Sequence, residues 1–183
     1  KMRLMMKKYK MILCFLDKKC YNTFKNSEGG LCHMVEAIRI ANYIIDSYTK
    51  QDVEITNLKL QKMLYYVQGY SLKKLNKKAF SSQIQNWPYG PVIPDVYFEF
   101  NSYRGNPIYL NQDLDMESIS IKGEIKSIVD NIIEKCKDKS AFDLVRMTHS
   151  ENPWSNTNKN EIISDKSMKD YFCANDPLEI NEW

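Results

Sequence analysis

Over most of the chain, apolar residues recur at every third or fourth position, and this spacing predicts α-helices that bury one face. Six helices are predicted in this way, near residues 34–48, 58–72, 94–103, 121–136, 142–147 and 164–172. Between residues 76 and 93 the helical spacing is lost, and short extended pieces are expected there and at 108–110. The pattern therefore predicts a mainly α, compact single-domain helical bundle. At most a small β element is expected, around residues 79–93 and 108–110.

Several helix ends carry local signals. Thr56 and Asn57 supply side-chain oxygens for the unpaired N–H groups of the second helix, and Ser140 with Asp143 has the spacing of a capping box. Pro94 suits the first turn of the third helix. Gly69, inside the second helix, costs about 1 kcal/mol relative to Ala. A glycine at that place predicts another element passing close to the helix backbone.

Three stretches are expected to interrupt the helices. Residues 87–91 contain two prolines that restrict the backbone, so they predict a stiff turn. The polar residues 111–117 predict a loop, and Asn152-Pro153-Trp154 is expected to end the helix before it.

The net charge of +3 is unevenly distributed. Residues 1–33 hold eight basic and two acidic residues, so the remaining 150 hold 26 − 8 = 18 basic and 23 − 2 = 21 acidic. We interpret residues 1–33 as a basic, loosely ordered tail or extension, and residues 34–183 as the folded domain. A short amphipathic segment that touches a membrane or an acidic partner is the alternative for the tail. The mildly acidic body argues against nucleic acid as the main partner.

The residues that could perform chemistry are few. The chain has five cysteines, without a C-x-x-C pair, and only two histidines, so we expect free thiols, a reducing compartment and no metal site. No apolar run reaches the roughly 20 residues of a membrane-spanning helix. Phosphate-binding loops and nucleophile–base pairs are equally missing, so no enzyme activity, catalytic residue or cofactor is predicted. His149 is either a catalytic base or, as we expect, a helix C-terminal residue whose charged form favours the helix dipole.

Three segments are more specific than their periodicity requires. They are L-K-L-Q-K-M-L-Y-Y-V-Q-G-Y at 58–70, W-P-Y-G-P-V-I-P-D-V-Y at 87–97 and T-H-S-E-N-P-W at 148–154. In this order they resemble the signature of the SocA-like, or Panacea, antitoxin domain family, which includes GepA-type prophage proteins. The resemblance covers residues 34–172. The family's K-L-Q-K-L-L-Y-Y-A-Q-G-Y run is matched except at Met63 and Val67, and both replacements are apolar and of similar volume.

The resemblance implies a largely helical, cytoplasmic protein of bacterial or prophage origin that is encoded beside a toxin. Family members neutralise toxins, generally by direct protein–protein binding. At least one relative instead delivers its toxin to the ClpXP protease. A regulator that binds nucleic acid through the basic tail is a further alternative from the residues themselves.

Two sets of aromatic and amide side chains are candidates for partner contact. Gln61, Tyr65 and Gln68 share one helix face, where they either bind a partner's backbone or satisfy buried polar groups. Trp87, Tyr89 and Tyr97 lie on or after the proline-stiffened turn. The Trp87 indole either contacts a partner or fills the core between the helices. The remaining signature positions are expected to preserve the fold; they are Gly69, Gly90, Pro91, Pro94, His149, Pro153 and Trp154.

Overall fold

A long central helix organises the fold, which we describe from a computed structural model of residues 35–110 and 114–180. The described part contains eight α-helices. They are α1 (Ala37–Lys50), α2 (Asn57–Leu75), α3 (Pro94–Glu99), α4 (Met116–Ile119), α5 (Gly123–Cys136), α6 (Ala141–His149), α7 (Asn152–Ser155) and α8 (Asp165–Ala174). A 3₁₀ turn, Asn101–Tyr103, follows α3. The mainly helical fold class is confirmed.

Helix α2 is buried on nearly all sides, because α1, α5, α6 and α8 all pack around it. Fifteen of its nineteen residues are buried. Sequence periodicity predicted a single buried face for this helix, and the difference arises because polar residues such as Lys62 and Gln68 are enclosed as well. The helix begins as predicted, with the Thr56 hydroxyl accepting from the Lys59 N–H.

Gly69 of α2 lies directly against Phe172 of α8. A Cβ at this position would lie 2.3 Å from Cε2 of Phe172, well inside van der Waals contact. The Phe172 ring also forms edge-to-face contacts with Tyr65, Tyr66 and Tyr70, with ring centres 5.2–6.2 Å apart. The predicted close approach is therefore present, and it is made by an aromatic side chain of α8.

The β structure is a single two-stranded antiparallel hairpin, within the part of the chain that is described. Strand β1 (Gln85–Trp87) pairs with β2 (Gly90–Val92), and Trp87 lies opposite Gly90. On its other side β1 contacts the segment before α8, where the Asn86 N–H donates to the Glu161 carbonyl at 2.9 Å. Residues 79–84 are not strand, and at 107–110 the chain forms only one isolated bridge, between Thr56 and Pro107.

Two predicted connections differ from the structure. Of the predicted loop 111–117, residues 111–113 lie outside the described residues, and residues 116 and 117 belong to the short helix α4 instead. Residues 152–155, expected only to stop the preceding helix, form the one-turn helix α7 with a proline in its first turn. Proline lacks an N–H, but the first turn of a helix does not need one, so a stop for one helix also starts the next. The predicted capping box at Ser140 and Asp143 is present.

The predicted basic extension, residues 1–33, lies outside the described residues, and so do Cys14, Cys20, Cys32 and His33. Of the other cysteines, Cys136 is buried and Cys173 is exposed, and both are free. No helix among the described residues has the length and apolar composition that a membrane span needs.

Candidate partner-binding surface

The two glutamines predicted on one face of α2 are fully engaged inside the chain. Gln61 accepts from the Ile93 N–H at 2.8 Å and donates to Asn57 Oδ1 at 2.9 Å. Gln68 accepts from the Ala79 N–H at 2.9 Å and donates to the Phe80 carbonyl at 3.3 Å. Their side chains therefore fix the segments that pass over α2, and neither reaches the surface of the fold.

Lys62 is a completely buried lysine beneath the hairpin. Its ammonium donates to the Pro91 carbonyl at 2.8 Å. Burial lowers the pKa of Lys62 to about 7, since the apolar surroundings disfavour the charged form. Gly90 lies directly against this side chain with a φ of +99°, and a Cβ there would come within 2.7 Å of Lys62 Cε. A lysine and a glycine of two signature segments thus form one contact.

Three further side chains fasten the hairpin and α3 to the rest of the domain. Asn86 donates to the carbonyls of Trp154 and Thr157 at 2.7 and 2.8 Å. The Trp154 indole N–H donates to the Trp87 carbonyl at 3.2 Å, and Asn57 donates to the Tyr97 carbonyl at 3.0 Å. Because the bonds end on backbone carbonyls, they fix the course of the chain.

Glu151 lies buried between two tyrosines of α2. Its carboxylate accepts from the Tyr65 and Tyr66 hydroxyls at 2.8 Å each. Desolvation raises the pKa of Glu151 to about 7, against the lowering effect of the two hydroxyls. Tyr65 is thus an internal hydrogen-bond donor in this fold, and its hydroxyl is not available at the surface.

His149 stacks on Trp154, with ring centres 3.9 Å apart and planes 9° from parallel. It is the last residue of α6, as predicted, but the expected preference for its charged form is wrong. Burial, followed by the repulsion of the nearby Lys62, lowers the pKa of His149, so the neutral imidazole is favoured. Its Nε2 is buried and has no hydrogen-bond partner among the described residues. No cluster of His, Cys, Asp or Glu suited to a metal occurs in the described residues.

A different group of aromatic rings reaches the surface, and we call Trp87, Tyr97 and Phe98 the aromatic cluster. The Trp87 ring contacts Tyr97 and Phe98 edge-to-face, with ring centres 5.0 and 6.3 Å apart. Tyr97 and Phe98 are 5.4 Å apart in the same kind of contact. Phe98 is 59% exposed, whereas Trp87 and Tyr97 are half-buried. Tyr89, 64% exposed, lies on the same turn as Trp87.

The structure thus separates the predicted contact residues into an interior and an exterior set. Gln61, Tyr65 and Gln68 are internal, and Trp87, Tyr89 and Tyr97 are accessible. Among the other signature positions, Gly69, Gly90, Pro91 and Pro153 are buried, and Pro94, His149 and Trp154 are half-buried.

Sequence reasoning missed several residues of this arrangement. Lys62 and Glu151 stand inside two of the signature segments, and a charged residue within such a segment was the available signal. Asn57 was considered only as a helix cap, while Asn86 and Phe98 carried no separate signal, because their roles depend on contacts distant in sequence.

Comparison with known proteins supports the family resemblance that the three signature segments indicated. Residues 60–155 match the model of the family described as antitoxin SocA-like, Panacea domain, and this match covers just over half of the chain. Antitoxin SocA of Caulobacter vibrioides (strain NA1000 / CB15N) is 28% identical, over 75% of this chain and 82% of that protein. No solved structure matches. With its signature segments and this match over most of the central helix, the hairpin and α6, the chain belongs to the SocA-like, Panacea-domain antitoxin family.

Proposed function

We propose that this protein is an antitoxin that neutralises a cognate toxin by direct binding, and that the aromatic cluster is the centre of the contact. The observation that carries the proposal is an accessible group of aromatic rings on a backbone fixed from below by Gln61, Lys62 and Asn57. In this proposal the protein acts in the cytoplasm, without catalysis and without nucleic acid, on a toxin encoded by the adjacent gene, including in prophages.

A fixed backbone favours binding for an energetic reason. Ordering a mobile side chain at an interface costs roughly 0.5–1.5 kcal/mol, so a surface that is already ordered loses less on association. Tryptophan and tyrosine supply large contact areas with few rotatable bonds and are frequent centres of protein interfaces. The aromatic cluster combines both properties, since its three rings support one another and its backbone is held by buried side chains.

Co-expression with the product of the adjacent gene tests the proposal. We expect the full chain to restore growth and to co-purify with that product. Phe98→Ala should weaken the complex by about tenfold or more, the usual loss at a central interface residue. Phe142→Ala is the matched control, because Phe142 is also 59% exposed and lies on a different helix. Its binding should equal that of the unmodified chain.

Other outcomes would contradict the proposal. Restored growth without a complex, while the toxin stays at its usual level, would exclude direct neutralisation. A toxin half-life that shortens only when this chain is present would instead indicate an adaptor for a ClpXP-type protease. Equal binding by the Phe98→Ala and Phe142→Ala variants would remove the aromatic cluster from the contact.

A further inference from the structure

Among the described residues, some aromatic rings pair with a lysine, and the aromatic cluster does not. Three tyrosines are covered by internal lysines: Lys59 lies over Tyr48, Lys73 over Tyr70 and Lys126 over Tyr43, at 4.9–5.6 Å from the ring centres. Over Trp87, Tyr97 and Phe98 no lysine or arginine lies within the described residues. Phe98 is largely exposed, so its ring is accessible to a partner.

Two carboxylates stand beside these rings on helix α3. Residues of an α-helix are 100° apart, so the exposed side of α3 presents Tyr97, Phe98, Asp95 and Glu99 in that order around the axis. Val96 and the residues that flank α3, Ile93 and Phe100, are buried instead. Asp95 therefore lies one turn from Phe98 and on its side of the helix, with Glu99 next to it.

Both carboxylates are exposed and form no ion pair within the described part of the chain. The nearest basic residue along the sequence is Arg104, which is exposed and takes part in none of the described ion pairs. Open ring faces attract a cation through the ring quadrupole, and neighbouring carboxylates attract the same cation through its charge. The two features point to one kind of ligand.

We propose that the aromatic cluster, with Asp95 and Glu99, receives an arginine-bearing segment of the partner protein. Arginine fits better than lysine because its planar guanidinium stacks on a ring and donates two parallel hydrogen bonds to a carboxylate. This inference rests on the proposed function and specifies the chemistry of the toxin surface. The arginine stacks on an aromatic face while its outer N–H groups meet the carboxylates.

A peptide titration tests the charge chemistry independently of the toxin. A short capped peptide of alternating leucine and arginine is added to the isotope-labelled full chain, and amide shifts are followed by NMR. We expect saturable shifts at residues 87 and 95–99, smaller ones with lysine in place of arginine, and none with glutamate. Asp95→Asn with Glu99→Gln should weaken the arginine peptide about tenfold, the loss expected for two exposed charge contacts.

The matched control is Glu54→Gln with Glu134→Gln, which removes the same charge from two exposed sites elsewhere. It should bind the arginine peptide like the unmodified chain. Equal weakening in this control would mean that only net charge attracts the peptide, and the inference would be overturned. Shifts at residues outside α3 and the hairpin would overturn it too.

A second test measures binding of the toxin itself. Toxin binding by the unmodified chain should weaken as salt rises from about 0.05 to about 0.5 M, and the Asp95→Asn, Glu99→Gln chain should lose most of this dependence. If Phe98→Ala abolishes toxin binding while the carboxylate variant binds normally at all salt concentrations, the proposed function stands and this inference fails. If the chain forms no complex with the toxin, the proposed function fails while the peptide result stands by itself.

Discussion

At the scale of single residues, Glu151 is the clearest source of pH dependence. Its folded-state pKa of about 7 lies above its ordinary value of 4.5 because burial disfavours the carboxylate. A group whose pKa is raised by folding contributes its full stabilisation at pH values below its unfolded-state pKa. This contribution is lost as the pH rises through its folded-state pKa. Between about pH 4.5 and 7 this loss is on the order of 3 kcal/mol.

The variant Glu151→Gln should remove this contribution. We expect its free energy of unfolding, relative to that of the unmodified protein, to rise between about pH 4.5 and 7, as measured by denaturant titration at several pH values. Glu161→Gln, at an exposed position, is the control and should leave the pH profile unchanged. A difference between Glu151→Gln and the unmodified protein that stays constant over this range would contradict the prediction.

Lys62 should show the opposite dependence. Burial lowers its pKa from 10.5 to about 7. Its contribution to stability is therefore fully present at pH values above its unfolded-state pKa, and it is lost as the pH falls through its folded-state pKa. Lys62→Met removes this titration together with the hydrogen bond to Pro91. Relative to the unmodified protein, the variant should therefore lose stability as pH rises from about 7 to 10.5.

Unfolding measured across this pH range checks the prediction for Lys62. Lys74→Met serves as the control, since Lys74 is exposed on the same helix. Parallel pH profiles for the Lys62→Met variant and the unmodified protein would show that the lysine does not titrate in the interior.

At the scale of elements, the hairpin depends on one backbone position. Gly90 has a φ of +99°, a backbone conformation that residues other than glycine rarely adopt. A Cβ there would also lie 2.9 Å from Thr148 Oγ1. Gly90→Ala should therefore destabilise the fold by about 1–3 kcal/mol and displace the hairpin from Lys62. Since β1 carries Trp87, toxin binding should fall together with stability.

Gly105→Ala is the matched control for this prediction, because a Cβ at Gly105 meets no atom within 4 Å. Thermal unfolding and toxin binding are measured on both variants. A Gly90→Ala protein as stable as Gly105→Ala would contradict the role assigned to this position.

At the scale of the whole molecule, the basic extension and the folded domain are expected to be separable in function. The family match, residues 60–155, and the contacts described here that hold the hairpin and α3 lie beyond residue 33. We therefore expect residues 34–183 alone to restore growth and to bind the toxin within about threefold of the full chain, less than 1 kcal/mol. Circular dichroism verifies that the shortened chain is folded.

A folded but inactive 34–183 chain would assign a role in neutralisation to the extension. Loss of a strongly salt-dependent contact on removing residues 1–33 would support the alternative in which the basic tail binds a polyanion.

The sequence by itself determined the six longer helices and several of their ends. Apolar spacing is set by the geometry of the helix, and caps such as Ser140 with Asp143 act within a few residues. Both can therefore be recognised in a short stretch of sequence. The order of the three signature segments likewise indicated the family before any contact was known. Even the close approach at Gly69 was predictable, because glycine in a helix interior has a cost that needs a compensating contact.

Only the tertiary structure decided which polar residues face inward. Lys62, Gln68 and Glu151 look like surface residues by composition, yet all three are buried, because their partners are supplied by chain segments 11–86 residues away. The same holds for the aromatic cluster, in which the hairpin brings Trp87 to Tyr97 and Phe98. Local propensity cannot encode such contacts, since burial and pKa depend on atoms that only the packed fold brings together.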